Sequence, residues 1–408
     1  MSELFLPEVR RRRVFYIPGY DPIHPRRYRE LYRKEGAAQA AISGYDIALA
    51  AKHAGGPFGW HARATINGET CEADFEVLVW SDIVSASMGQ SIPATYAQLV
   101  QVAWAYISSG SLWRLMKLRK GPMIAALYPI FALLVQLVVA LALGWLVGWA
   151  AMWVMPVYPG SDLVCTAVML VVAAAIMQRF RKSDGRFYAY YLMHDYAHTA
   201  QLGGAYPPDL EARLTQFADT IAEALRADWD EVLVVGHSSG AHLGISILAD
   251  LVRAGRVPDD GPALGLLTLG QVVPMVSFLP RAQRLRADLA YLCTRDELAW
   301  VDVTAPGDGC AFALCDPVAV SGVAPPGKRW PLVLSAAFSK TLSPERWREL
   351  RWRFFRLHFQ YLSAFDRPGD YDYFQITAGP LTLQTRYAGR APSASRIERA
   401  VNRYTDTA

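Results

Sequence analysis

Val232-Leu233-Val234-Val235-Gly236-His237-Ser238-Ser239-Gly240-Ala241-His242-Leu243-Gly244 is the stretch that decides how the rest of the chain is read. Four β-prone apolar residues run without interruption, as in a strand covered on both faces. The run stops at Gly236, and residues 241–252 then carry apolar side chains at helical spacing. Gly236-His237-Ser238-Ser239-Gly240 therefore stands at a strand-to-helix turn and matches the pattern Gly-x-Ser-x-Gly. So sharp a turn strains the serine backbone and holds its Oγ above the sheet, while neighbouring backbone and helix approach closely enough to require small residues. Gly236, Gly240, Ala241 and Gly244 provide that room. A phosphate loop fits poorly, because the segment has neither the Gly-Lys-Ser/Thr ending of a P-loop nor the Gly-x-Gly-x-x-Gly spacing of a dinucleotide turn.

The alternation of strand and helix signals continues on both sides. Residues 13–17 read as a strand running into Pro18-Gly19, residues 28–51 have helical composition, and residues 75–80 form a second short apolar strand. Residues 210–227 show helical spacing at Leu214, Phe217, Ile221 and Leu225. Further strands are expected at 264–269, 298–303 and 331–336, with helices near 281–292 and 344–362. This order predicts an α/β fold with a mainly parallel sheet and helices on both faces. The tail after Pro380 is polar and is expected to be loosely ordered.

One segment breaks the pattern. Residues 121–161 contain no charged residue and no histidine, a run of 41 positions, and after Asp162 residues 163–178 are again free of charge. A bilayer core takes about 20 helical residues to cross. Two spans are expected, near 123–147 and 161–178, around a turn marked by Pro156, Pro159 and Gly160. Arg114, Lys117, Arg119 and Lys120 precede the hairpin and Arg179, Arg181, Lys182 and Arg186 follow it, whereas the turn has no lysine or arginine. Positive flanks stay cytoplasmic, so both ends are expected inside, with Trp145, Trp149, Trp153 and Tyr158 at the far interface. The expected organisation is a sheet domain in two parts, 1–112 and 187–379, interrupted by a transmembrane helical hairpin at 113–186 and followed by a polar tail at 380–408.

Composition agrees with that division. Hydrophobic residues make up 52% of the 408 positions and charged residues 19%, which excludes disordered, collagen-like and coiled-coil chains. A formal net charge of +4 is too small to argue for nucleic acid. Cys71, Cys165, Cys293, Cys310 and Cys315 are odd in number and unpaired in spacing, which points to a reduced compartment; Cys310 and Cys315 are too isolated for a zinc site. No apolar core precedes the four arginines at 10–13, so no cleaved signal peptide is expected.

With its serine turn placed between a strand and a helix, the sequence resembles the α/β-hydrolases, of the serine esterase or lipase type. The resemblance covers residues 13–80 and 210–378 and leaves the hairpin outside. It implies that Ser238 is the nucleophile and that the triad follows in the order serine, acid, histidine. Of eight histidines only His358 lies beyond residue 242, so on this reading His358 is the base. The acid belongs on the loop after the penultimate strand, Thr304-Ala305-Pro306-Gly307-Asp308-Gly309, which favours Asp308; Asp302 inside the strand and Asp316 at an Asp-Pro turn are the alternatives. Oxyanion donors are implied at the N–H of Ser239 and on the loop Pro18-Gly19-Tyr20-Asp21. Pro18 has no N–H, so Gly19 or Tyr20 donates, with Tyr20 preferred. Two features depart from the family: Pro-Gly replaces the usual His-Gly at that loop, and His358 lies well past the last strand in a helical segment. The implied activity is cleavage of a carboxylic ester, plausibly lipid-like, at the cytoplasmic side of a membrane. Its partners are the ester and membrane lipids, and no metal or organic cofactor is called for.

Other constellations compete. His194-Asp195-Tyr196-Ala197-His198 places two imidazoles at i and i+4, as a metal pair requires, and would make the protein a membrane metal-dependent hydrolase. Aspartate in place of the usual glutamate is short for reaching a metal-bound water. A membrane scaffold that kept a hydrolase shape without its activity is the third class. Arg351, Arg353 and Arg356, interleaved with Trp352, Phe354 and Phe355, read as an amphipathic helix with its aromatics inward or against anionic headgroups, not as a nucleic-acid surface.

Overall fold

The structure, a computed structural model, describes residues 8–52, 57–154 and 159–408. Tyr158, Pro156 and the first seven residues, on which expectations above fall, lie outside the described residues. Eight strands form one mixed sheet: β1 (Arg11–Ile17), β2 (Asp46–Ala51), β3 (Gly59–Ile66), β4 (Glu69–Val77), β5 (Glu231–His237), β6 (Ala263–Leu269), β7 (Ala299–Thr304) and β8 (Leu332–Ser335). Their order is β2-β3-β4-β1-β5-β6-β7-β8. β1 lies parallel to both β4 and β5, and the pairs β5–β6, β6–β7 and β7–β8 are parallel as well. β2, β3 and β4 are joined antiparallel.

The main helices are α1 (Arg26–Ser43), α2 (Ile92–Ser108), α3 (Lys120–Val154), α4 (Ser161–Lys182), α5 (Ala189–Ala200), α6 (Pro208–Ala224), α7 (Gly240–Arg253) and α8 (Gln283–Leu292). Alternate residues of the central strands enter two separate cores. Phe15, Ile17, Val232, Val234 and Leu266 face α6, α7 and α8 on one side. Val14, Tyr16, Leu233, Val235, Leu267 and Val303 face α1 and residues of the 334–387 region on the other. A sheet covered on both faces needs apolar residues at every position, which is why β5 is buried from end to end. The fold is thus of the α/β class.

Three expectations are corrected. The helical composition of 28–51 ends at Ser43, where Gly44 takes a left-handed φ of 73°, and the alanine-rich remainder is the edge strand β2. β3 is an unexpected strand: of its buried positions, Trp60, Ala62, Ala64 and Ile66, two are alanines, and they alternate with His61, Arg63 and Thr65, which leaves little hydrophobic signal. The expected helix at 344–362 is three short turns, Pro344–Leu350, Phe354–His358 and Gln360–Leu362. Trp352 and Phe354 are exposed there, and Phe355 is half-buried against the Tyr188 ring, so the aromatics do not all point inward.

The tail after Pro380 is also more ordered than its polarity implies. Leu383 is buried, Ile397 pairs with Cys315, and Asp406 bonds the buried Arg286 guanidinium. These contacts satisfy polar groups that would otherwise be stranded under the sheet edge.

α3 and α4, of 35 and 22 residues, are both long and apolar enough to cross a membrane. They pack through small residues: Ala140 is buried against Ala173 and Met177, and a Cβ added at Gly144 would stand 2.6 Å from the Met169 carbonyl oxygen. Small residues every fourth position let two backbones approach where no water can fill a gap. The hairpin belongs to a longer helical stretch between β4 and α6. Within it, α2, the short helix Ser111–Leu118, the start of α3 and α5 share a core with Met275, Phe278 and Phe312 of the sheet domain.

Candidate active site

Four parallel strands, β1, β5, β6 and β7, deliver their carboxyl ends to one corner; Tyr20, Ser238 and Asp308 follow β1, β5 and β7, and His358 comes from the helical turn Phe354–His358 beyond β8. Ser238 follows β5 directly. Its φ is +57°, a left-handed conformation that a residue with a Cβ adopts only when its surroundings hold it there. Its N–H donates to the Leu269 carbonyl at 2.9 Å, which ties the turn to the end of β6. The flanking glycines are there for space. A Cβ at Gly236 would come within 2.5 Å of the Gly240 carbonyl, and one at Gly240 within 2.1 Å of the Ile17 carbonyl. Gly244, by contrast, faces only side-chain carbons at 3.4 Å or more and is not required to be glycine.

His358 closes the short helical turn Phe354–His358 and is buried. Its Nδ1 bonds Asp308 Oδ2 at 2.7 Å. Its own carbonyl accepts from His237 Nε2 at 3.0 Å, and the two rings lie 4.8 Å apart. Burial, and then the charge of His358, push the His237 imidazole down to about 3, so it is a neutral donor that places His358 beside the serine turn. Gly270, at the end of β6, completes the socket: a Cβ there would meet Tyr361 at 2.7 Å and His358 Cε1 at 3.0 Å. His358 Nε2 is buried and has no hydrogen-bond partner among the described residues. Ser238 and His358 are thus brought to the same corner, without a direct bond between Oγ and Nε2.

Asp308 lies on the loop after β7 and is buried. Besides His358 it accepts the Tyr361 hydroxyl at 3.0 Å on Oδ2 and the Cys310 N–H at 2.8 Å on Oδ1. Burial alone would raise its pKa. The charge of His358 and these three hydrogen bonds outweigh that cost and hold the carboxyl below its ordinary value. The alternatives are engaged elsewhere. Asp302 bonds the Thr268 hydroxyl at 2.6 Å, and burial pushes it up to about 8, so it is protonated near neutrality. Asp316 caps the turn Pro317–Val320 and pairs with Lys328 at 2.5 Å.

The loop after β1 lies against the nucleophile: a Cβ at Gly19 would stand 3.0 Å from Ser238 Cβ and 3.4 Å from its Oγ. Trp80 Nε1 donates to the Pro18 carbonyl at 3.0 Å, and the Tyr20 hydroxyl bonds Ser87 Oγ at 2.5 Å. Among the described residues neither the Tyr20 nor the Ser239 amide donates to a protein acceptor. Both residues line a cleft with Trp80, Asp195, His198 and His242. Two free N–H groups beside a serine suit an oxygen that gains negative charge.

Asp195 is the cleft residue that sequence reasoning missed, having been weighed only as the acid of a metal motif. Tyr191, Asp195 and His198 share one face of α5, and the Tyr191 and His198 rings pack on Tyr20. Asp195 makes no hydrogen bond or ion pair among the described residues. Burial pushes it up to about 7, against the pull of the His358 charge. The signal was its helical spacing from Tyr191 and His198. That a loop from β1 packs there is invisible in sequence. A carboxyl whose folded pKa is raised binds its proton more tightly folded than unfolded, so folding stability falls as pH rises from about 4 to about 7. Asp195→Asn is therefore expected to stabilise the protein at pH 8 by about 1–3 kcal/mol and to leave it unchanged near pH 4, read from thermal melts in detergent. An equal difference at both pH values would mean that the carboxyl ionises freely.

Neither metal arrangement fits well. His194 Nδ1 bonds Gln98 at 2.9 Å and His198 Nδ1 bonds Gln201 at 3.0 Å, and among the described residues the two imidazoles are not part of a group of three ligands close enough to share an ion. Among the described residues the group able to surround an ion is Asp308, Cys310 and His358. There His358 Nδ1 and Asp308 Oδ2 stand 2.7 Å apart, a hydrogen-bond distance. Two ligands of a tetrahedral zinc ion, each about 2.0 Å from it, lie about 3.3 Å apart. Burial, then the Asp308 charge, also raise the Cys310 thiol well above its ordinary value, opposing the thiolate a metal needs. Comparison with protein-family models, curated proteins and solved structures finds no match.

Proposed function

We propose that the protein is a serine hydrolase of the α/β-hydrolase type, anchored in a membrane by its helical hairpin, that cleaves a carboxylic ester, plausibly a lipid-like one. One observation carries the reading. A serine strained at a strand-to-helix turn shares a corner with an imidazole whose Nδ1 is bonded to a buried carboxylate and whose Nε2 is buried without a partner among the described residues. The parallel pairing of β1 with β4 and β5, and of β5 through β8, supports the family assignment.

In this mechanism His358 Nε2 takes the proton from Ser238 Oγ as Oγ bonds to the ester carbonyl carbon. Asp308 holds the tautomer with Nδ1 protonated and stabilises the imidazolium. The Tyr20 and Ser239 amides receive the oxyanion, worth about 3–4 kcal/mol for each good donor. As the tetrahedral intermediate collapses, the C–O bond to the alcohol breaks and His358 returns its proton to the departing oxygen. Water then repeats the sequence on the acyl-serine and releases the acid. Closure on substrate binding brings Oγ and Nε2 together, because catalytic hydrogen bonds that are long in a free enzyme tighten in the complex.

Labelling by a fluorophosphonate probe tests the nucleophile. Wild type is expected to label covalently and Ser238→Ala not at all. Persistence of the label in Ser238→Ala, or hydrolysis that survives this change but vanishes with a chelator, would reject the reading.

α3 packs on α4 through Ala140, Gly144 and Gly148, and its 35 residues are more than the about 20 that one bilayer core takes. The basic residues at both roots keep the catalytic domain cytoplasmic and the turn outside. Cysteines introduced at Gly160 and Ser161 are expected to react with impermeant maleimide only from outside the cell. Reaction only from the cytoplasm would reverse the orientation.

A further inference from the structure

We propose that α2 is a third membrane element, lying in the plane of the leaflet that the hairpin enters first, with Pro93, Ala97, Val100, Trp104 and Ile107 seated among the lipid chains. These five residues follow one another at helical spacing on one stripe. Val100 is 66% exposed, Trp104 71% and Ile107 52%. The opposite face is used up inside the protein: Thr95, Leu99, Val102 and Tyr106 are buried, and Tyr106 donates to the Met275 carbonyl at 2.9 Å. The 17 residues of α2 include no charged side chain. A water-facing helix of a soluble domain carries its charges on the outer face; here that face has no charge, Gln101 and Ser108 are its exposed polar residues beside Val100, Trp104 and Ile107, and such a face calls for an apolar partner.

The lipid leaflet is the occupant that its position favours. Ile92 and Tyr96 pack against the hairpin cluster of Ala140, Ala173 and Met177, and Tyr96 donates to the Leu133 carbonyl at 2.7 Å. The stripe therefore continues the exposed apolar belt formed by Val138, Leu141 and Trp145 of α3. Beyond its far end the short helix Ser111–Leu118 exposes Trp113 and Lys117, and Arg179 and Lys182 are exposed where α4 ends. An apolar stripe edged by a tryptophan and cations suits the boundary between acyl chains and anionic headgroups.

The proposal rests on the hairpin residing in a membrane, and the test separates the two claims. The full chain, carrying an environment-sensitive fluorophore on a cysteine at Trp104→Cys, Ile107→Cys, Val138→Cys or Asp228→Cys, is reconstituted in vesicles of zwitterionic and anionic phospholipid. The 104 and 107 probes are expected to emit blue-shifted, to lose quenching by aqueous iodide, and to be quenched more by lipids spin-labelled near the headgroup than deep in the chain. The 138 probe should prefer the deep label, and the 228 probe should respond only to iodide. Water-like emission at 104 and 107 with lipid-like emission at 138 overturns the proposal and spares the hairpin, whereas water-like emission at 138 overturns the hairpin itself. Disulfide formation between two copies at residue 104, without lipid quenching, would assign the stripe to a second copy of this chain and also overturn the proposal.

Discussion

Asp308→Asn is expected to lower kcat for a chromogenic acyl ester about 10⁴-fold while the protein remains folded. The carboxylate accepts from His358 Nδ1 at 2.7 Å, and that bond requires Nδ1 to carry the proton so that Nε2 can accept one from Ser238. An asparagine amide that turns its NH₂ toward Nδ1 forces the other tautomer, and Nε2 then has no lone pair to offer. The amide oxygen can still accept from the Cys310 N–H, so the cost in stability is about 1–3 kcal/mol. The native carboxyl has its pKa held below the ordinary value, so its contribution to folding is present at neutral pH and is lost as pH falls through its folded pKa, below 3.8. Activity within tenfold of wild type would place the acid elsewhere. Asp302→Asn is the control: Asp302 is pushed up to about 8, so at pH 7 the change replaces a protonated carboxyl by a similar neutral group and activity should be kept.

Gly240→Ala should be among the most damaging single-methyl changes, with a loss of about 3 kcal/mol or more of stability and of fluorophosphonate labelling in whatever remains folded. The added Cβ would lie 2.1 Å from the Ile17 carbonyl oxygen and 2.8 Å from that of Pro18. Both atoms are backbone, and β1 is pinned between β4 and β5, so the strand end cannot retreat without breaking ladder bonds. The displaced segment leads into Gly19 and Tyr20, so the proposed oxyanion donor shifts with it. Gly244→Ala, four residues on in the same helix, meets only side-chain carbons of Leu266, Ile17 and Val234 at 3.4–3.7 Å and should be tolerated. Equal stability of the two variants, read from thermal melts, would mean that the strand-to-helix turn is less tightly packed than it stands here.

The two expectations rest on different levels of organisation. Ser238 could be read from local order alone, because an uninterrupted β-rich run, a glycine-bounded serine and a helical period are all contiguous in the chain. The hairpin was legible for a similar reason: 41 positions without charge are a local property of composition. β2 and β3 were not, since their alanines carry little hydrophobic signal and the pairing of β2 with β3 and of β3 with β4 is what makes them strands.

Asp308 and His358, 50 residues apart, are joined only because β7 and the turn Phe354–His358 end at the same corner. Order along the chain selected them once a family resemblance was assumed, but contact between them is a property of the packed sheet. Asp195 is the clearest case. Its neighbours in sequence suggested a metal helix, while its neighbours in space are Tyr20, Ser239 and His358, brought there by the packing of α5 on the domain. Sequence by itself determined which segments are strand, helix or membrane-like wherever periodicity and composition act over a few consecutive residues. Only tertiary structure decided which polar groups meet, because burial and hydrogen bonding depend on distances between segments that the chain order does not encode.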